Sequence, residues 1–217
     1  MKRLITLILL GYFSTLVFAA QGGRPIKLES YDYHDYVNSE IQAKTFNRRD
    51  NGGYFTTATW TYYRPSPGEL IITKILTDGA GSIFSWVDDQ IYLTNESYSW
   101  YGSIIYDVTG EPVATRENIP AIVRMTNNMV PGIAWGTAGV IERDYIFDNH
   151  FIDKSELLGI EDVVVPAGTY TDCLKIYRSH DYGYLNVRID WVCPNLGLVK
   201  RVHSNRSIEL TDVTFEE

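Results

Sequence analysis

The chain has 217 residues, with 27 acidic and 19 basic side chains and a formal net charge of −8. After the first few residues no more than two basic side chains stand together, which excludes a nucleic-acid partner or an anionic membrane surface, since both need a basic cluster. Sixteen Tyr and five Trp are set among Thr, Val and Ile, a composition suited to pleated, half-buried surfaces, and the length predicts one domain.

The opening stretch reads as a secretory signal peptide over residues 1–19. Lys2 and Arg3 form a basic start, an apolar run begins at Leu4, and Val17 and Ala19 are small residues placed for cleavage before Ala20. Gly11, Ser14 and Thr15 interrupt that run, whereas a membrane span needs about 20 apolar residues. The expectation is an exported bacterial protein, periplasmic or extracellular, that is not integral to the membrane.

Residues 20–48 are expected to be an N-terminal lead, with Gln21 to Pro25 loosely attached and a short helix between Ser30 and Lys44. Tyr33, Val37 and Ile41 recur there at helical spacing. Asp50-Asn51-Gly52-Gly53 breaks the pattern, and residues 49–217 are expected to form a single antiparallel β domain.

In that domain the period changes to two. Ala58, Trp60 and Tyr62 fall on one face, with Thr57, Thr59 and Thr61 on the other. Further strands are expected over 69–76, 82–87, 90–94 and 98–108, separated by Asp78-Gly79, Asp88-Asp89, Asn95-Glu96 and Thr109-Gly110. Glu111 to Pro131 reads as a long connection with a short helix near Ile119 to Met125. Strands resume over 133–147 and continue through 162–165, 169–177, 185–192, 198–203 and 208–215. Ten or eleven strands with at most one or two short helices predict a mainly β fold. The two architectures are an antiparallel open or half barrel and a two-sheet β-sandwich.

Three segments of the C-terminal half carry a resemblance: MVPGIAW (129–135), VVVPAGTYTDCLKIY (163–177) and DWVCPNLGLVKRV (190–202). Together they resemble the TapB-like family of secreted or envelope-associated bacterial proteins, over about residues 125–210. The pattern departs at Cys193, where a small apolar residue is expected. The resemblance implies an antiparallel, barrel-like or half-barrel fold of the lipoprotein-carrier kind and no known catalytic activity. The same residues also have plain structural readings, with Pro166-Ala167-Gly168 and Pro194 to Gly197 as turns that set hairpin register.

Cys173 and Cys193 are the only cysteines. A hairpin centred on Gly183 sets them opposite each other, and export favours a disulfide. Yet Val187, Ile189 and Trp191 form an apolar face that matches Leu174 and Ile176 only after a shift of one residue, which would put the cysteines on opposite faces. Both registers stay open at this point.

No P-loop, G-x-G-x-x-G or G-x-S-x-G motif is present, so no cofactor and no serine triad are expected. Asp32, His34 and Asp35 form the densest patch of metal-ligand side chains but have no second cluster at a ligand spacing. His150, His180 and His203 read as surface or turn residues. Asp88 with Asp89, Glu142 with Asp144, and Glu161 with Asp162 are acid pairs of the type a glycosidase uses. Trp60, Tyr62, Tyr98 and Trp100 are either sheet core or the lining of a site for an apolar ligand or sugar.

The leading functional expectation is a non-catalytic envelope module that binds or carries a lipid-like or apolar ligand. The alternatives are an assembly protein with an envelope protein partner and, third, a hydrolase acting on polysaccharide.

Overall fold

A computed structural model describes residues 29–37, 40–53, 55–144 and 146–216. The signal peptide and the lead through Pro25 lie outside the described residues. One short 3-10 helix, Tyr33–Tyr36, precedes twelve strands. They are β1 (Ile41–Asp50), β2 (Phe55–Tyr63), β3 (Glu69–Thr77), β4 (Ile83–Leu93), β5 (Ser97–Tyr106), β6 (Pro112–Thr126), β7 (Ala134–Arg143), β8 (Ile146–Val165), β9 (Gly168–Asp181), β10 (Leu185–Cys193), β11 (Gly197–His203) and β12 (Arg206–Phe215). Each pairs antiparallel with its neighbour in sequence, and β1 pairs with both β2 and β12. The sheet is a closed up-and-down barrel, neither an open or half barrel nor a sandwich.

Two expectations fail together and explain that correction. The segment read as helix between Ser30 and Lys44 contributes only the 3-10 turn and then the first residues of β1, the strand that seals the barrel. Its inward residues include Lys44, 2% exposed, beside Phe46, so a strand with charge on its inner face did not read as one. The supposed connection 111–131 holds β6, fifteen residues long and with no helix near Ile119. Its inward side carries Arg116 and Arg124, which again hides the alternation.

The 3-10 helix packs at the barrel end that holds the β4–β5, β6–β7 and β10–β11 turns. Asp32 caps it by accepting from the His34 amide, Tyr33 Oη donates to the Thr94 carbonyl, and Asn195 N donates to Asp35 O at 2.9 Å. Tyr33 and Tyr36 are buried against Met125, Met129, Leu157, Leu174 and Ile176. In the β10–β11 turn a side chain at Gly197 (φ +68°) would press on the Tyr36 carbonyl, so glycine lets the turn sit under the helix. The tip of the long β8–β9 hairpin reaches β12, where Ala167 N donates to Leu210 O at 3.0 Å.

The β9–β10 hairpin resolves the cysteine question. Leu185 pairs with Asp181 and the register holds through Val192 with Leu174, so Cys173 and Cys193 lie opposite and form a disulfide. The apolar pattern misled because this barrel's interior is charged. Arg188, Asp190 and Val192 of β10 line the lumen, whereas Trp191 turns outward and donates to Glu161 Oε1 at 2.6 Å. The outer wall carries further ion pairs, Lys175 with Glu161 at 3.2 Å and Lys200 with Glu209 at 2.7 Å. No described helix is long and apolar enough to cross a membrane.

Candidate functional site

The barrel encloses a cavity of about 470 Å³, within the range of small-ligand sites, about 300–1,000 Å³. Alternation on nine strands decides what faces it: Trp60 and Tyr62 from β2, Lys74 from β3, Asp89 from β4, Tyr98, Trp100 and Ser103 from β5, and Arg116 and Arg124 from β6. Arg178 and His180 come from β9, Arg188 and Asp190 from β10, and Arg201 from β11. Eight Lys and Arg side chains line the cavity against two carboxylates, although the whole chain is acidic.

Asp190 is the hub. It accepts Arg178 Nε at 2.9 Å and takes Arg201 in a two-point contact at 2.6 and 2.9 Å, with Arg188 Nε a further 3.5 Å away. Burial alone would push the Asp190 carboxyl up, but the Arg201, Arg188 and Arg178 cations hold it far below the usual carboxylate range. Arg178 also donates to the Arg124 carbonyl at 2.6 Å and to Ser155 Oγ at 2.8 Å, which locks β6, β8, β9 and β10 to one another.

Asp153 on β8 forms a second node. Its Oδ2 accepts Arg124 Nη1 at 2.8 Å and meets His180 Nδ1 at 2.9 Å. Burial is opposed there by Arg124 and the His180 hydrogen bond, and the carboxyl stays below its ordinary value. Burial lowers His180, and Asp153 does not fully offset it. A third node joins Lys74 to Asp89, whose Oδ1 accepts Ser103 Oγ at 2.7 Å. Burial pushes Asp89 up, but Lys74 and Ser103 more than compensate. Lys44, by contrast, faces no carboxylate. It donates to the Leu196 and Leu198 carbonyls, and burial lowers it to about 7.

Trp60, Tyr62, Tyr98 and Trp100 all stand on the cavity wall. Burial pushes the Tyr98 phenol up to about 12. The two Trp rings also carry cations: Arg116 and Arg124 lie 4.5 and 4.8 Å from the Trp100 ring, and Lys74 lies 4.7 Å from that of Trp60. Each aromatic wall is therefore a platform for cations as well as apolar surface.

The other sequence candidates do not converge. Asp32 is spent on its cap, His34 and Asp35 are exposed, and no group of three or more metal-ligating side chains forms among the described residues. Asp88 and Asp89 point to opposite faces of β4, the former accepting from Tyr106 Oη at 2.9 Å. Glu161 engages Trp191 and Lys175 on the outer wall. His180, read as a turn residue, is buried in the lumen at 5% exposure. The signal for the charged network was present in YRSHDYGYLNVRID, where Arg178, His180, Arg188 and Asp190 alternate at even positions around Gly183. The alternation rule takes the charged face as the outer one, and that hides an inside built of charged side chains.

Neither a family model nor a curated protein sequence matches the chain. Two crystal structures match its fold. One is a Bacteroides fragilis protein described as exported and as having a YmcC-like fold, with a TM-score of 0.56 at 16% identity over 82% of this chain and 98% of that one. The other is a Parabacteroides distasonis protein described as a lipoprotein, with a TM-score of 0.50 at 15% identity over 82% of this chain and 97% of the other. In fold, the chain is similar to these two proteins.

Proposed function

We propose that this chain is an exported, non-catalytic binding module of the cell envelope whose barrel lumen takes a lipid-like or apolar ligand. The observation that carries the reading is the cavity itself, with Trp60, Tyr62, Tyr98 and Trp100 on its wall. Export is supported by the leader-like opening, by the cystine and by the descriptions of the two fold neighbours. Ion pairs on the outer wall favour an aqueous surrounding, since a lipid-facing barrel wall is an apolar band.

Against a glycosidase stands the state of the inward carboxylates. A general acid needs a raised pKa, while Asp89, Asp153 and Asp190 are all held below their ordinary values by cations and hydrogen bonds. The test is native mass spectrometry of the protein from its own envelope fraction, before and after organic extraction. A discrete extra mass removed by extraction is expected. The bare mass in both samples would overturn the binding reading and favour an assembly role.

A further inference from the structure

We propose that the ligand of this lumen is an amphipathic anion: its carboxylate, phosphate or sulfate group sits against Arg188 and Arg116, and its apolar body lies along the Trp60 and Tyr62 side. The inference rests on the reading of the barrel as a binding module and adds the charge of what it binds.

Charge is segregated across the barrel wall. The chain as a whole has more acids than bases, 27 against 19, yet the cavity lining has eight cations and two carboxylates. The buried carboxylates are shared among several of these cations. Asp190 already serves three guanidinium groups, Asp89 serves Lys74, and Asp153 serves Arg124. Arg116 has a neutral partner, Asn118 Oδ1 at 3.2 Å, and two ring faces, Trp100 and Tyr182. The Nε atoms of Arg116 and Arg188 are buried without a hydrogen-bond partner among the described residues, and so is His180 Nε2. All three side chains border the one cavity.

A neutral apolar ligand entering this space would strip water from guanidinium groups and return no acceptor, leaving buried donors unsatisfied. An anion replaces that water with charge-assisted bonds, and arginine's planar set of donors matches carboxylate, phosphate and sulfate oxygens. Stacking on Trp100 fixes the Arg116 plane while leaving its edge donors free. Burial and the adjacent Arg201 press Arg188 well below its ordinary value. A guanidinium keeps its proton in proteins, so that pressure is relieved by an anion and not by titration. The other half of the lining, with Leu70, Ile72, Ile91 and Leu198 beside Trp60 and Tyr62, accommodates a hydrocarbon or ring system.

The experiment is titration of the full, delipidated protein with four probes, followed by tryptophan fluorescence: dodecanoate, dodecyl phosphate, dodecanol and inorganic phosphate. The two anionic amphiphiles are expected to bind at least tenfold more tightly than dodecanol and inorganic phosphate. R188Q and R116Q, on different strands of the lining, are each expected to remove most of that advantage, read as the ratio of dodecyl phosphate to dodecanol affinity within the same variant. Circular dichroism and the melting temperature show that each variant is folded. Equal binding of dodecanol, unmoved by either variant, overturns the anion and leaves the binding-module reading standing. Inorganic phosphate binding as tightly as dodecyl phosphate overturns the amphipathic half and identifies a simple anion site. Binding of none of the four overturns this inference, and the extraction experiment then decides the broader reading on its own.

Discussion

Arg178 and Arg188 stand directly opposite each other on β9 and β10, two cations facing each other that Asp190, two residues further along β10, holds together. Its carboxylate takes Arg178 at 2.9 Å and Arg188 at 3.5 Å while also binding Arg201 of β11. Like charges opposed across strands destabilise a sheet, so the hairpin depends on this one side chain.

Asp190→Asn is therefore expected to cost about 3–5 kcal/mol, the penalty for leaving buried charges unpaired. In a chain of this size that lowers the melting temperature by roughly 6–20 °C. Adding Arg178→Gln to Asp190→Asn should recover part of the loss, because one uncompensated cation goes with it. Urea denaturation of the single and double variants provides the measurement. A single-variant cost below about 1 kcal/mol, the value of an exposed pair, would show that the node does not hold the hairpin together.

The Cys173–Cys193 bridge joins residues twenty apart in sequence. Loop-closure entropy assigns a bridge of that span about 3 kcal/mol, equivalent to roughly 6–12 °C in melting temperature here. The Cys173→Ala/Cys193→Ala variant and the reduced wild type should melt together at that lower temperature. If both melt within a degree or two of the oxidised protein, the hairpin's hydrogen bonds and packing hold the register unaided.

Much of the barrel was legible in the sequence, and most of the misses share one cause; the expected strand 133–147 instead spans β7 and only the start of β8, most of which was not expected as strand. Thr57 to Tyr62 alternates cleanly because its inward residues are Ala58, Trp60 and Tyr62. Of the two β9–β10 registers left open, the one centred on Gly183 is the one that forms. The alternation rule assumes that the apolar face is the inner one, as it is in a packed sheet. Where the inner face carries Lys44, Arg116, Arg124, Arg188 or Asp190, the rule either finds no strand, as in β1 and β6, or assigns the wrong face, as with Ile189 and Trp191 of β10. Closure was lost with β1, since that strand alone joins the two ends of the sheet. The four aromatics were found because Trp and Tyr are conspicuous at period two. The cations on Trp100, Arg116 and Arg124, come from the next strand, β6, whose alternation their own charge hides.

Lys44 is expected to make stability rise with pH across the neutral to alkaline range. Burial lowers it from 10.5 to about 7 in the fold, so between these values the unfolded chain binds the proton and the folded one does not. The penalty of burying the charge is complete below about pH 7 and is relieved as the pH climbs toward 10.5. Lys44→Met removes the penalty, and the loss of its bonds to Leu196 and Leu198 applies at every pH. Unfolding free energies at pH 6 and pH 9, two points chosen to bracket about 7, should show the methionine variant gaining more at the acid point. An equal gain at both would mean that Lys44 does not titrate in this window.

His203 acts in the acid range with the same sign. It sits across from Arg188 on β11. Burial, followed by the Arg206, Arg201 and Arg188 cations, lowers its imidazole from 6.5 to about 3, with Asp190 opposing them. As the pH falls below 6.5 the unfolded chain takes up the proton first, so stability declines from there toward about pH 3. His203→Gln should flatten that decline above pH 3.8, the point below which Asp89, Asp153 and Asp190 begin to add their own loss. His180, lowered by burial, contributes in the same window, so the slope should shrink in His203→Gln without vanishing. The same imidazole reports on the lumen. An anion seated beside Arg188 neutralises one of the charges that depress it, and proton NMR titration in saturating dodecyl phosphate should find the His203 pKa raised above that of the free protein. An unchanged value would overturn the placement of the anion against Arg188.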